Sequence, residues 1–227
     1  MTDIAMALPL TEKTSNSSLG GQNEKRAHCI TSTMEPELPP NFGEVVKGIY
    51  RSSFPHPCNL PALEQLGLKT ILTLVDEPYT ACHANFLREN GIAHFRIPVI
   101  ANKDPAAKTP DHIMVRILEA LLNKSNHPIL VHCNKGKHRT GCVIGCFRKV
   151  QGWETGDILR EYLNYSWPKS RVLDERFIET FDTSNLVRLA RISGAKLWQP
   201  TSPSEKQDHR KNSSKNLVHS SHGVKVS

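Results

Sequence analysis

A chain of 227 residues has room for one domain with extensions but not for two large domains. Apolar residues make up 38% and charged residues 22%, which suits one buried core. No window approaches the roughly 18 continuous apolar residues of a membrane span, and the first residues lack a basic-then-apolar signal pattern, so a soluble, cytoplasmic chain is expected. The net charge of +7, from 29 Lys and Arg against 22 Asp and Glu, points to an anionic partner: nucleic acid, an acidic membrane surface or a polyphosphate.

Residues 1–38 and 194–227 are rich in Ser, Asn, Gly and charge without periodicity, and both are expected to be disordered tails. The core, residues 39–193, carries a net +5, the C-terminal tail +4 and the N-terminal tail −2. Trp198 is the only aromatic of the basic tail, too little for base stacking, so no nucleic-acid partner is expected.

Within the core, Val45, Val46, Ile49 and Tyr50 suggest a first strand, and KTILTLV (residues 69–75) a buried second one. A helix over 79–90 stops at Gly91, and a short strand over 93–99 follows. Pro110 and Asp111 open a helix with Ile113, Ile117 and Leu121 on one face. The run PILVHC (128–133) is a β-prone strand leading through a Gly-containing loop into a helix over 140–151, and two further helices are predicted over 155–164 and 174–192. Strands alternating with helices give an α/β fold with a central, mostly parallel sheet flanked by helices, whose ligand sites gather at the carboxyl ends of strands.

The strand ending at Cys133 continues as HCNKGKHRTGC. With 6 Cys and 13 Arg in the chain, a bare C-x5-R arises by chance in roughly one such chain in three, so it decides nothing. Adding His132, Gly136, Thr140 and Gly141 lowers that expectation to ~10⁻⁵. A loop curling into a helix N-terminus points several N–H groups at one spot, with the helix dipole behind them. Arg139 is expected to grip two phosphoryl oxygens, and the same field favours the thiolate of Cys133. Thr140 is placed to donate a hydrogen bond to the sulfur and His132 to fix the loop. These residues imply displacement at phosphorus through a cysteinyl-phosphate, with Arg139 and backbone amides carrying the charge. No cofactor or metal is expected, since neither Cys nor His recurs at zinc spacing and the six cysteines read as free thiols. Cys142 and Cys146 read as core residues.

A leaving oxygen ordinarily takes a proton from a loop Asp. ANKDPAAKTPD offers Asp104, mid-loop and preferred, and Asp111, whose place in a first helical turn has an ordinary electrostatic explanation. Inside the C-x5-R, Asn134, Lys135, Gly136, Lys137 and His138 are the candidate substrate-binding set. Its three basic side chains exceed what one phosphate needs. Arg51, Lys103 and Lys108 are further candidate contacts that no spacing directs inward.

At these residues the chain resembles the plant and fungi atypical dual-specificity phosphatases, the Siw/Oca group of the cysteine-dependent protein tyrosine phosphatase superfamily. The resemblance is carried by HCNKGKHRTGC, NFGEVVKGIYRSSFP (41–55), LGLKTILTL (66–74) and KSRVLDERFIETFD (169–182), and it spans the core. It implies the dual-specificity type of phosphatase fold, Cys133 as nucleophile, Arg139 as transition-state clamp, and hydrolysis of the β-phosphate of diphosphoinositol polyphosphates. The loop around Asp104 departs from the ordinary acid loop, but a phosphorylated inositol is already a good leaving group. The nearest alternative is a protein tyrosine or dual-specificity phosphatase with a phosphoprotein partner. A phosphate-binding scaffold and a sulfurtransferase fit Arg139-Thr140-Gly141 less well.

Overall fold

The computed structural model describes residues 36–200, so the disorder expected of the two ends lies, but for a few residues, outside the described region. Five strands form one sheet in the order β1 (Gly43–Val46), β2 (Ile49–Ser52), β5 (Ile129–His132), β3 (Thr70–Thr73), β4 (Ala93–Arg96). β1 runs antiparallel to β2, and every other pairing is parallel. β5 is therefore the central strand, with Ser52 and Thr73 paired in register with its last residue, His132. A chain leaving that strand emerges in the middle of the sheet's carboxyl edge, where α/β folds place their sites.

The apolar strands bury both faces, as the two-residue period of a strand requires. Ile129 and Val131 of β5 and Leu72 of β3 join the larger core, against α3 (Asp111–Leu122) and α4 (His138–Gln151). Leu130 and Ile71 face the other way, toward α1 (Leu60–Glu64) and α2 (Ala81–Glu89). In α3, Ile117 and Leu121 are buried and Ile113 packs against the same core. Buried on nearly every side, α4 is enclosed between the sheet and two further helices, α5 (Thr155–Ser166) and α6 (Val172–Thr180). Gly141 and Gly145 lie inside α4, as the helix expected over 140–151 implies. A Cβ at Gly141 would stand 2.8 Å from the Tyr162 ring of α5, and one at Gly145 2.7 Å from Ile178 of α6.

Three sequence expectations change. The single strand over 45–50 is a hairpin, β1 and β2, because the chain reverses at Lys47–Gly48. The long helix over 174–192 is broken into α6 and α7 (Val187–Ser193). The break falls at Asp182, whose carboxylate accepts from the Ser184 amide (2.9 Å) and hydroxyl (2.7 Å), a local bond that competes with helical pairing. Packing also continues past residue 193. Ala195 is fully buried, and Gln151 at the end of α4 donates to the carbonyls of Ala195 and Trp198, both at 3.0 Å. The Trp198 ring meets His127 edge-on, so this aromatic belongs to the folded unit rather than to the tail.

Candidate active site

Between β5 and α4 the loop from Cys133 to Lys137 is fastened from outside by three consecutive carbonyls. The Phe54 amide donates to Asn134 O (3.2 Å), Asn41 Nδ2 to Lys135 O (2.9 Å) and Arg51 Nη2 to Gly136 O (2.9 Å). In a trans peptide the N–H points opposite to the preceding C=O. The amides of Lys135, Gly136 and Lys137 therefore face away from these anchors, and the unpaired first-turn amides of α4 continue the concave array. Gly136 is required here on two grounds. Its φ is +63°, and a Cβ would lie 2.5–2.6 Å from the backbone of Ser52 and Ser53.

Cys133, 3% exposed, lines a cavity of about 610 Å³. Asn134, Lys135, His138 and Arg139 of the loop line it, together with Ala101 and Lys103 of one segment and Lys169, Ser170 and Arg171 of another. No Asp or Glu is among the lining residues. The His138 ring bonds the Lys169 carbonyl at 2.7 Å, and burial lowers its pKa. Asn134 Nδ2 donates to Glu77 at 3.0 Å. Among the described residues, no group of three or more His, Cys, Asp or Glu is arranged to hold a metal ion.

Several expected contacts point elsewhere. Arg51 is 1% exposed and stands behind the loop, 3.6 Å from the centre of the Tyr165 ring. It shapes the site through the Gly136 carbonyl instead of touching substrate. Lys137 turns away to donate to the Trp167 carbonyl at 2.7 Å. Lys108 pairs with Asp111 at 2.9 Å, so neither residue reaches the cavity. Asp104 is exposed, accepts from the Ala106 amide at 2.9 Å and borders a separate, smaller cavity of about 150 Å³. Thr140 Oγ1 is buried without a hydrogen-bond partner, so the expected bond to Cys133 Sγ is not formed.

The hydrogen bonds of the His132 ring go to groups outside the loop, and its Nδ1 is buried without a partner. Its Nε2 lies 2.6 Å from the Tyr79 hydroxyl and 2.9 Å from Thr73 Oγ1, which also contacts His94 Nε2 at 2.8 Å. Burial keeps Tyr79 a phenol and holds His132 at about 3, against an ordinary 6.5. As pH falls through that window the unfolded chain takes up a proton at His132 that the folded chain refuses, so stability present at neutral pH is progressively lost. Burial lowers His94, His127 and His138 in the same direction, adding to the slope. The urea midpoint is expected to fall between about pH 7 and pH 4, with His132→Asn giving a flatter dependence from a lower starting stability.

A family model described as "Tyrosine phosphatase family" matches residues 38–199. The chain belongs to the tyrosine phosphatase family. Among its relatives is the inositol diphosphatase SIW14 of Saccharomyces cerevisiae, 46% identical over 164 residues, which are 72% of this chain and 58% of the yeast protein. The chain thus spans less than two thirds of that relative's length. The inositol diphosphatase DSP4 of Arabidopsis thaliana is 43% identical over 66% of this chain and 76% of its own. The solved core catalytic domain of the PP-IP phosphatase SIW14 from S. cerevisiae is 43% identical with a TM-score of 0.66, covering 72% of this chain and 98% of its own.

In this member of the tyrosine phosphatase family, sequence reading missed the wall formed by Lys169, Ser170 and Arg171. The two basic residues follow Trp167-Pro168 at the end of α5, a turn signal with charge beside it, but nothing local shows that the turn returns to the mouth of the C-x5-R loop.

Proposed function

We propose that the protein is a cysteine-dependent phosphatase that removes the β-phosphate of diphosphoinositol polyphosphates. The observation that carries this reading is the wall of the Cys133 cavity: five Lys and Arg side chains and no carboxylate. One phosphate is satisfied by the amide array and Arg139. Lys103, Lys135, Lys169 and Arg171 remain for further phosphates, and their field concentrates a polyanion at the mouth. The activities named for the yeast and plant relatives are of the same class.

In the first step Cys133 Sγ attacks the β-phosphorus, an S–P bond forms, and the P–O bond to the inositol phosphate breaks. Arg139 and the loop amides hold the equatorial oxygens as charge develops. Water then attacks the cysteinyl-phosphate, releasing inorganic phosphate and restoring the thiolate. The leaving group is a phosphate monoester, already stable as an anion, which suits a cavity without a lining carboxyl. Asp104→Asn is therefore expected to change kcat on such a substrate by less than about threefold, where a working general acid would contribute ~10²-fold or more. Phosphate release under saturation measures it.

Five free cysteines among the described residues support a reducing, cytoplasmic setting, and no helix among those residues is long and apolar enough to cross a membrane. The reading is tested by offering purified protein a diphosphoinositol polyphosphate and a phosphotyrosyl peptide in parallel. A higher kcat/KM for the inositol compound is expected, and a higher value for the peptide would make this a protein phosphatase.

A further inference from the structure

Asp174 is 1% exposed, and among the described residues no Lys, Arg or His nitrogen pairs with it. A buried carboxylate without a counter-ion is strongly destabilising unless hydrogen bonds replace its water. Here Oδ1 accepts from Asn102 Nδ2 at 2.9 Å and Oδ2 from the Tyr162 hydroxyl at 2.7 Å. Tyr162 in turn accepts from the Arg171 amide at 3.1 Å. The position, in the first turn of α6, would also suit an acid that caps or complements that helix. Its hydrogen bonds do not serve that purpose, since they go to another loop and another helix.

What these bonds join is informative. Asn102 sits between Ala101 and Lys103, which form one side of the Cys133 cavity. Arg171, with Lys169 and Ser170, forms a second basic wall of the same cavity. Tyr162 packs its ring on Gly141, in the first turns of the helix that follows the phosphate loop. One carboxylate thus fastens the two basic walls of the cavity to each other and, through Tyr162, to the helix behind the loop. Both walls carry positive charge, Lys103 on one and Lys169 and Arg171 on the other, so nothing in their own side chains draws them together.

We propose that Asp174 is a positioning residue which, through Asn102 and Tyr162, fixes the spacing between the Lys103 wall and the Lys169–Arg171 wall and so sets the preference for substrates bearing several phosphates. The proposal rests on the reading of the cavity as a polyphosphate site. A ligand with one phosphate occupies the amide array and Arg139 alone and is indifferent to that spacing, whereas a polyanion bridging the walls is not.

The test uses the full chain, with p-nitrophenyl phosphate as substrate and inositol hexakisphosphate as competing polyanion. Asn102→Asp sets two carboxylates against each other in place of one charge-assisted hydrogen bond, and the inhibition constant is expected to rise about tenfold while kcat on p-nitrophenyl phosphate stays within about twofold. Adding Asp174→Asn reverses donor and acceptor, restores the pair, and should return the constant to within about twofold of the parent. Tyr162→Phe, which removes two of the three bonds without adding charge, is expected to raise it about threefold or more, and decides the matter if Asn102→Asp does not fold. The proposal is overturned if the inhibition constant is unchanged, if kcat falls as far as the constant rises, if the exchanged pair fails to restore it, or if the parent is not inhibited at all. Failure of the parent to release phosphate from a diphosphoinositol compound would instead overturn the proposed reaction, since the inhibition constant reads the walls without requiring turnover of an inositol compound.

Discussion

Replacing Cys133 with Ser is expected to lower phosphate release by at least ~10⁴-fold, the scale on which loss of a covalent nucleophile is felt. The exchange of sulfur for oxygen is nearly isosteric at a residue only 3% exposed, so the cavity and the fold should survive it. What disappears is the ionisable nucleophile at the focus of the loop amides. Binding should persist, because the amide array, Arg139 and the basic walls are intact, and inositol hexakisphosphate should bind the variant about as tightly as it binds the parent. A variant with more than a few per cent of parental turnover would show that another group attacks phosphorus.

Arg139→Lys is the second large effect. Lysine keeps the positive charge but replaces a planar fork by a single ammonium, so two equatorial oxygens can no longer be held at once. Losing one such donor from a preorganised transition-state cradle lowers kcat by about 10²–10³-fold. KM should move far less, since Lys103, Lys135, Lys169 and Arg171 still hold the substrate. A loss of less than about tenfold in kcat would assign Arg139 to binding rather than to the chemical step.

These expectations rest on parts of the molecule that differ in how openly the sequence displays them. The strand, loop and helix around Cys133 are continuous in the chain, and the chemistry of a phosphate cradle follows from residues within ten positions of one another. That residues 128–133 form a strand was legible too, because a short apolar run between helical segments suits a strand covered on both faces, but its central place in the sheet was not. Contacts between distant segments were not legible. Arg51 reads as a spare cation until Gly136 is seen 85 positions away, presenting its carbonyl to the guanidinium. Lys135 and Lys137 look equivalent in sequence, yet one lines the cavity and the other is drawn to the Trp167 carbonyl.

Gly141 shows the same limit from another side. The helix predicted over 140–151 contains it, but only the packing shows why a glycine stands there, against the ring of Tyr162. The acid question changes for a related reason. A mid-loop Asp beside Pro105 is well placed by chain position alone, but Asp104 turns its carboxylate to the Ala106 amide, and the neighbours that reach the cavity are Ala101 and Lys103. In both cases composition and spacing specify which groups are available, and the packing of remote elements decides which of them meet the ligand.

The central claim is that Cys133 takes the β-phosphate directly from a multiply phosphorylated substrate. The measurement closest to it is rapid acid quenching of the full chain during turnover of a diphosphoinositol polyphosphate labelled in its β-phosphate, followed by mass-spectrometric mapping. Label on the peptide containing Cys133, appearing and decaying at rates compatible with turnover, is the expected result. Continued release of labelled phosphate with no label on that peptide, or label on another residue, would contradict the account.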